Sequence, residues 1–127
     1  MGEGTFRIRH DLDLPVLEIA GEIDLANAAE FAAVLDGAIT ERPGLVVSLD
    51  DTSYFDSKGI HVLLTFAGRL DRTGHRFAIV AREGTAPRRL LEIASVASVI
   101  PIYASILEAV TAILPSGPGA PPVTQSK

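Results

Sequence analysis

The chain contains no cysteine. That excludes a disulfide framework, a thiolate metal site and a cysteine nucleophile. It also lacks any apolar run of about 18 residues, so no transmembrane helix is expected. Positive charge is scarce: 11 Lys and Arg stand against 16 Asp and Glu, a formal net charge of −5. A general nucleic-acid binder normally carries a basic face. Lys and Arg are scattered here, and the densest pair, Arg88-Arg89, is too small for a polybasic anchor. Neither nucleic acid nor membrane is therefore an expected partner. The first residues, Met1-Gly-Glu-Gly-Thr-Phe-Arg7, offer no basic n-region and no apolar h-region, so no secretory signal is expected. Cytoplasmic location is the expectation. There is no Walker A loop, no G-x-G-x-x-G and no G-x-S-x-G elbow.

What is present is an ordinary globular balance, 47% hydrophobic and 21% charged over 127 residues, enough for one domain with one core. Phe6–His10 alternates and predicts a half-buried edge strand. Asp11–Pro15 supplies a turn, and Val16–Ala20 a second strand paired with the first. Gly21-Glu-Ile-Asp24 then leaves that strand. Asn27-Ala-Ala-Glu30 has the form of a capping box. The helix after it places Ala28, Phe31, Ala32, Leu35 and Ile39 near one face, and Arg42-Pro43-Gly44 stops it.

Leu45–Leu49 predicts a buried central strand. A helix opening at Ser57 or Lys58 carries Ile60, Leu63, Leu64, Ala67 and Leu70 as its core stripe and ends at Gly74. Phe77–Val80 is a further buried strand. Pro87–Ala94 is a short helix with Thr85 as its cap. Val99–Tyr103 predicts a strand whose proline suits an edge. Ser105–Leu114 is a last helix, capped by Ser105 with Glu108 three residues on. The order is β-β-α-β-α-β-α-β-α: an α/β fold with a mixed, mainly parallel sheet after an N-terminal hairpin, and about four helices. One domain is expected over 5–114. Residues 115–127, with four prolines and two glycines among thirteen, are expected to form a disordered tail.

Functional loops of open α/β sheets gather at the carboxyl ends of the strands. Two segments qualify: Gly21–Asp24 and Asp50–Ser57. If their strands are neighbours, Asp24 lies close to Asp56 and Ser57. Ser57 has three possible roles. As a nucleophile it needs a base, and only His61, one helical turn on, is near in sequence. No orienting carboxylate or oxyanion hole accompanies that pair. As a helix N-cap it is a preferred residue. As a phosphate carrier it has the same geometry, because a helix N-terminus tolerates a phosphate. Asp50, Asp51 and Asp56 form an acidic cluster that could hold Mg²⁺, or could be solvated loop carboxylates. No metal and no cofactor is expected. On the helix after Ser57, Val62 and Phe66 fall off the main core face. They either pack beneath a neighbouring helix or form the apolar centre of a partner patch. Asn27 is read chiefly as a cap.

Gly21-Glu-Ile-Asp24, followed after a buried strand by Tyr54-Phe-Asp-Ser57-Lys-Gly-Ile60, resembles the STAS domain of bacterial anti-sigma-factor antagonists. The resemblance runs from about Thr5 to Leu114. It implies a non-enzymatic switch protein that binds an anti-sigma factor with serine/threonine kinase activity and thereby frees a sigma factor. The phosphorylated serine of the D-S-x-G motif corresponds to Ser57. A PP2C-type phosphatase would restore the hydroxyl. Asp24 and Asp56 correspond to positions on the partner-facing surface, and Lys58, Gly59, His61, Val62 and Phe66 are expected to extend it. Lys58 departs from the pattern, where Ser or Thr is usual. A free monomer is expected. The alternative is a STAS interaction module without a phospho-switch, such as a stressosome component or a transporter-associated subunit.

Overall fold

A computed structural model describes residues 4–12, 14–39 and 44–114. The expected tail at 115–127, the helix stop at Arg42-Pro43 and Asp13 of the expected turn lie outside the described residues. The strands are β1 (Gly4–Asp11), β2 (Leu14–Ile23), β3 (Gly44–Phe55), β4 (Arg76–Val80) and β5 (Ile102–Tyr103). The helices are α1 (Ala28–Ala38), α2 (Ser57–Thr73), α3 (Ala86–Ile93) and α4 (Ile106–Ile113). The element order is the one expected from the sequence.

The sheet order follows the chain, β1-β2-β3-β4-β5. β1 and β2 are antiparallel; every later pair is parallel. Each parallel step moves one strand in the same direction. Right-handed crossovers then place their helices on one face. Accordingly α1, α2 and α3 pack over the larger core, which includes Leu17, Ile19, Phe31, Leu35, Val47, Leu63 and Leu91. α4 follows the last strand and covers part of the other face, against Val16, Val46, Ala78 and Val80. Beyond α4 that face is polar: Glu18 on β2 takes hydrogen bonds from Arg7 and Arg9 on β1.

Two strands run further than their apolar patterns predict. β2 continues through Gly21-Glu-Ile23, and β3 continues through Asp50–Phe55. Two irregularities in register, at Glu18/Ala20 and Gly21/Glu22, keep the pair aligned where apolar alternation fails. Polar side chains assist: the Thr52 hydroxyl donates to the Ile19 carbonyl at 2.8 Å and the Ser53 hydroxyl to that of Gly21 at 3.1 Å. The last strand is shorter than expected. A 3₁₀ turn over Val96–Ser98 and the missing N–H of Pro101 confine β5 to Ile102–Tyr103 at the sheet edge. On α2, Phe66 joins the core, whereas Leu64 and Ala67 are only half-buried. Those two line an open cleft of about 590 Å³ with Tyr103 and Ile113.

Candidate functional site

The paired ends of β2 and β3 bring the two sequence motifs together. Glu22 pairs with Tyr54 and Ile23 with Phe55. The Asp56 N–H then donates to the Ile23 carbonyl at 3.3 Å. Asp24 leaves one strand where Asp56 and Ser57 leave its neighbour. The expected juxtaposition is therefore present, set by backbone pairing.

Ser57 is not the helix cap. Asp56 holds that position, extended at φ −116° and ψ −170°, and its carboxylate accepts the Lys58 N–H at 2.9 Å. A carboxylate at this end also suits the helix dipole. Ser57 becomes the first helical residue, with an exposed side chain. Its hydroxyl is thereby released from capping and presented to solvent. Lys58 and His61 are exposed beside it.

Gly59 explains why the helix starts so close to the sheet. It is buried, and a Cβ there would lie 2.6 Å from the Phe55 ring. Phe55 in turn meets Phe31 of α1 edge-on at 6.1 Å, and Phe31 stacks on Phe6 of β1 at 6.1 Å. The first turn of α2 is seated on an aromatic column that crosses three elements.

The Asp24 loop is fixed by a residue whose role differs from its expected one. Asn27 precedes α1 but makes no capping hydrogen bond. Its amide instead donates to the Glu22 carbonyl at 2.8 Å and accepts the Asp24 N–H at 3.0 Å. Asn27 is only 6% exposed, so both bonds are shielded. A side chain so engaged is not available to cap the helix, and the expected capping box with Glu30 does not form. Asp24 itself accepts the Ala26 N–H at 2.9 Å, a local turn bond.

Val62 and Phe66 pack between neighbouring elements, the first of the two roles open to them. Phe66 is 4% exposed and packs edge-on against Phe77 at 5.2 Å. Both residues nevertheless line a groove of about 200 Å³ between α1 and α2, with Ala32 and Leu35 opposite and His61, Thr65 and Arg69 along its rim. Arg69 lies 5.9 Å over the Phe66 ring and pairs with Asp36 of α1 at 2.6 Å.

Two exposed apolar residues flank the site. Leu25, 71% exposed, follows Asp24, and Tyr54, 49% exposed, precedes Phe55. An apolar residue inside a short polar loop is the signal that could have marked Leu25. Among the described residues, no group of three or more His, Cys, Asp or Glu is arranged to hold a metal ion. The acidic cluster is dispersed because Asp50 and Asp51 belong to a strand rather than a loop. One carboxylate oxygen of Asp50 is buried with no hydrogen-bond partner among the described residues. No helix among the described residues is long and apolar enough to cross a membrane.

The family model described as STAS domain matches residues 5–109. Among curated proteins, the anti-sigma-F factor antagonist RsfB of Mycobacterium tuberculosis is 26% identical over 99 residues, covering 77% of this chain and 80% of that one. Among solved structures, an anti-sigma factor antagonist from Mycobacterium paratuberculosis superposes with a TM-score of 0.78 at 23% identity, covering 87% and 94% of the two chains. A sulfate transporter family protein from Wolinella succinogenes shares the fold with a TM-score of 0.66 at 16% identity, covering 83% and 88%.

Proposed function

This chain belongs to the STAS domain family, and we propose that it is an anti-sigma-factor antagonist switched by phosphorylation of Ser57. In this reading it binds an anti-sigma factor that is also a serine/threonine kinase, and binding frees the sigma factor. The kinase phosphorylates Ser57, the complex dissociates, and a PP2C-type phosphatase resets the hydroxyl. The similarity to RsfB supports the class of partner. The observation that carries the switch is the exposed Ser57 hydroxyl at the first turn of α2, left uncapped because Asp56 does the capping. Asp24, Asp56, Lys58, His61 and Val62 surround or extend that position as the partner surface, and the buried Gly59 and Phe66 support it from beneath.

The physics of release follows from charge. A phosphate adds about −1.5 to −2 charges at pH 7. It would join Asp24 and Asp56. In the free protein it stays hydrated; in a complex it must be desolvated, at a cost of several kcal/mol unless the partner supplies cations. A penalty of about 3 to 4 kcal/mol weakens binding by roughly two to three orders of magnitude.

The test is incubation with ATP and each kinase-type anti-sigma factor of the source genome, read by site-resolved mass spectrometry. The expected outcome is one phosphate on Ser57, none in Ser57→Ala, and tighter binding of the unphosphorylated protein. Complex formation with no phosphate on Ser57 would instead assign the chain to STAS interaction modules that lack the switch.

A further inference from the structure

Three of the 11 Lys and Arg, namely Lys58, Arg69 and Arg72, share one helix face, with His61 and Thr65 between them. Lys58, His61, Thr65, Arg69 and Arg72 all lie on α2 and all are exposed. At 100° per residue, these five positions fall within about 80° of the helix circumference and run for about 21 Å. Asp71 lies off that stripe. Arg69 is paired with Asp36 of α1; Lys58 and Arg72 pair with no carboxylate among the described residues. A cationic stripe is unexpected on a chain of net charge −5. It also borders the apolar groove between α1 and α2, because His61, Thr65 and Arg69 form that groove's rim.

We infer that this stripe and groove together receive an acidic segment of the partner protein, with one apolar side chain seated between Ala32, Leu35, Val62 and Phe66. The inference rests on the antagonist reading above and names the chemistry of its partner. Three observations select the occupant. The stripe is cationic, so the segment is acidic. The groove, about 200 Å³ and lined by apolar side chains, has the size for a single leucine or phenylalanine rather than a small-molecule cofactor. The stripe is continuous with Ser57, which precedes Lys58 at its amino end. Nucleic acid offers no apolar side chain for the groove and is repelled by the net negative charge. A phosphate on Ser57 would place negative charge beside Lys58 and one turn from His61. It would then repel the acidic segment as well as resist desolvation. Lys58, which departs from the usual family residue, becomes the cation that couples the two events.

The test measures association rates of the full chain with the purified kinase-type anti-sigma factors of its source genome, at about 0.05 and 0.3 M salt. Arg72→Glu should slow association by about tenfold at low salt, with the gap closing at high salt as screening sets in. Val62→Ala, which removes apolar contact without changing charge, should speed dissociation with little effect on the association rate. Arg89→Glu, an exposed charge reversal on α3, should match the wild type. Circular dichroism and urea midpoints verify that each variant is folded. An unchanged association rate for Arg72→Glu, with binding retained, overturns the inference and leaves the antagonist reading standing. Absence of binding to every such factor overturns both. Binding of a 20-base-pair DNA duplex, or self-association in light scattering, that Arg72→Glu abolishes would reassign the stripe and overturn the inference.

Discussion

Single side chains decide how the Ser57 surface is held. Asn27 is the clearest case, because its amide satisfies one carbonyl of β2 and the N–H of Asp24 in a shielded position. Asn27→Ala leaves both groups unpaired, and a loss of about 1 to 3 kcal/mol is expected. Urea denaturation measures it, and a midpoint equal to wild type would refute the clamp. Gly59 makes a complementary prediction. Gly59→Ala forces a methyl group into the Phe55 ring, so either the ring or the first turn of α2 must move. A destabilisation of about 1 to 3 kcal/mol is expected, as for other overpacked sites. Amide NMR shifts should change at Ser57 and at Phe31, the next ring in the column. Asp56→Ala removes the cap of α2 at an expected loss of about 1 kcal/mol.

At the scale of elements, the hairpin of β1 and β2 depends on ionisation and α2 on sidedness. Glu18 has its carboxyl held below the ordinary range, first by the hydrogen bond from Arg7, with Arg9 assisting and burial opposing. Arg7 is raised in turn, first by the same hydrogen bond. A depressed folded-state value means the carboxylate contributes stability above its unfolded pKa. That contribution is lost as pH falls through the lower, folded value. Acid unfolding below about pH 4.5 should therefore be shallower in Glu18→Gln, with the two proteins converging at the acid end. Thermal midpoints across pH 3 to 7 provide the measurement; parallel curves would refute it. Helix α2 buries Ile60, Leu63, Phe66 and Leu70 and turns its cations outward. One 17-residue element thus supplies core, groove wall and charged stripe.

For the whole molecule, the sheet order places every crossover helix on one face and leaves the strand ends open at Asp24 and Ser57. Both sides of the site are fixed by backbone pairing and aromatic packing, so a phosphate on Ser57 would meet a preformed surface. Phosphorylation is expected to leave the fold unchanged, acting by blocking an interface rather than by refolding. Amide shifts on phosphorylation should be confined to Asp24–Asn27 and the first turns of α2. Changes spread through β4 and α4 would exclude an interface-blocking switch.

Element order, the parallel character of the sheet and the two motifs flanking the site were all legible from residues alone. Those features rest on local signals: period-2 and period-3.6 apolar patterns, capping by Thr85 and Ser105, and the Gly74 stop at φ 79°. Where β2 and β3 end was legible only in the folded chain, because that pairing depends on register and on hydroxyls bonded to carbonyls 33 and 32 residues away. Only folding moved capping from Ser57 to Asp56 and turned Asn27 from a cap into a clamp. Two neighbouring polar residues can each cap a helix in sequence terms. The backbone angle at Asp56, set by the bond of its N–H to the Ile23 carbonyl, selects one of them. The same holds for charge: a count of lysines and arginines is blind to sidedness, whereas the burial of one face of α2 collects its cations on the other.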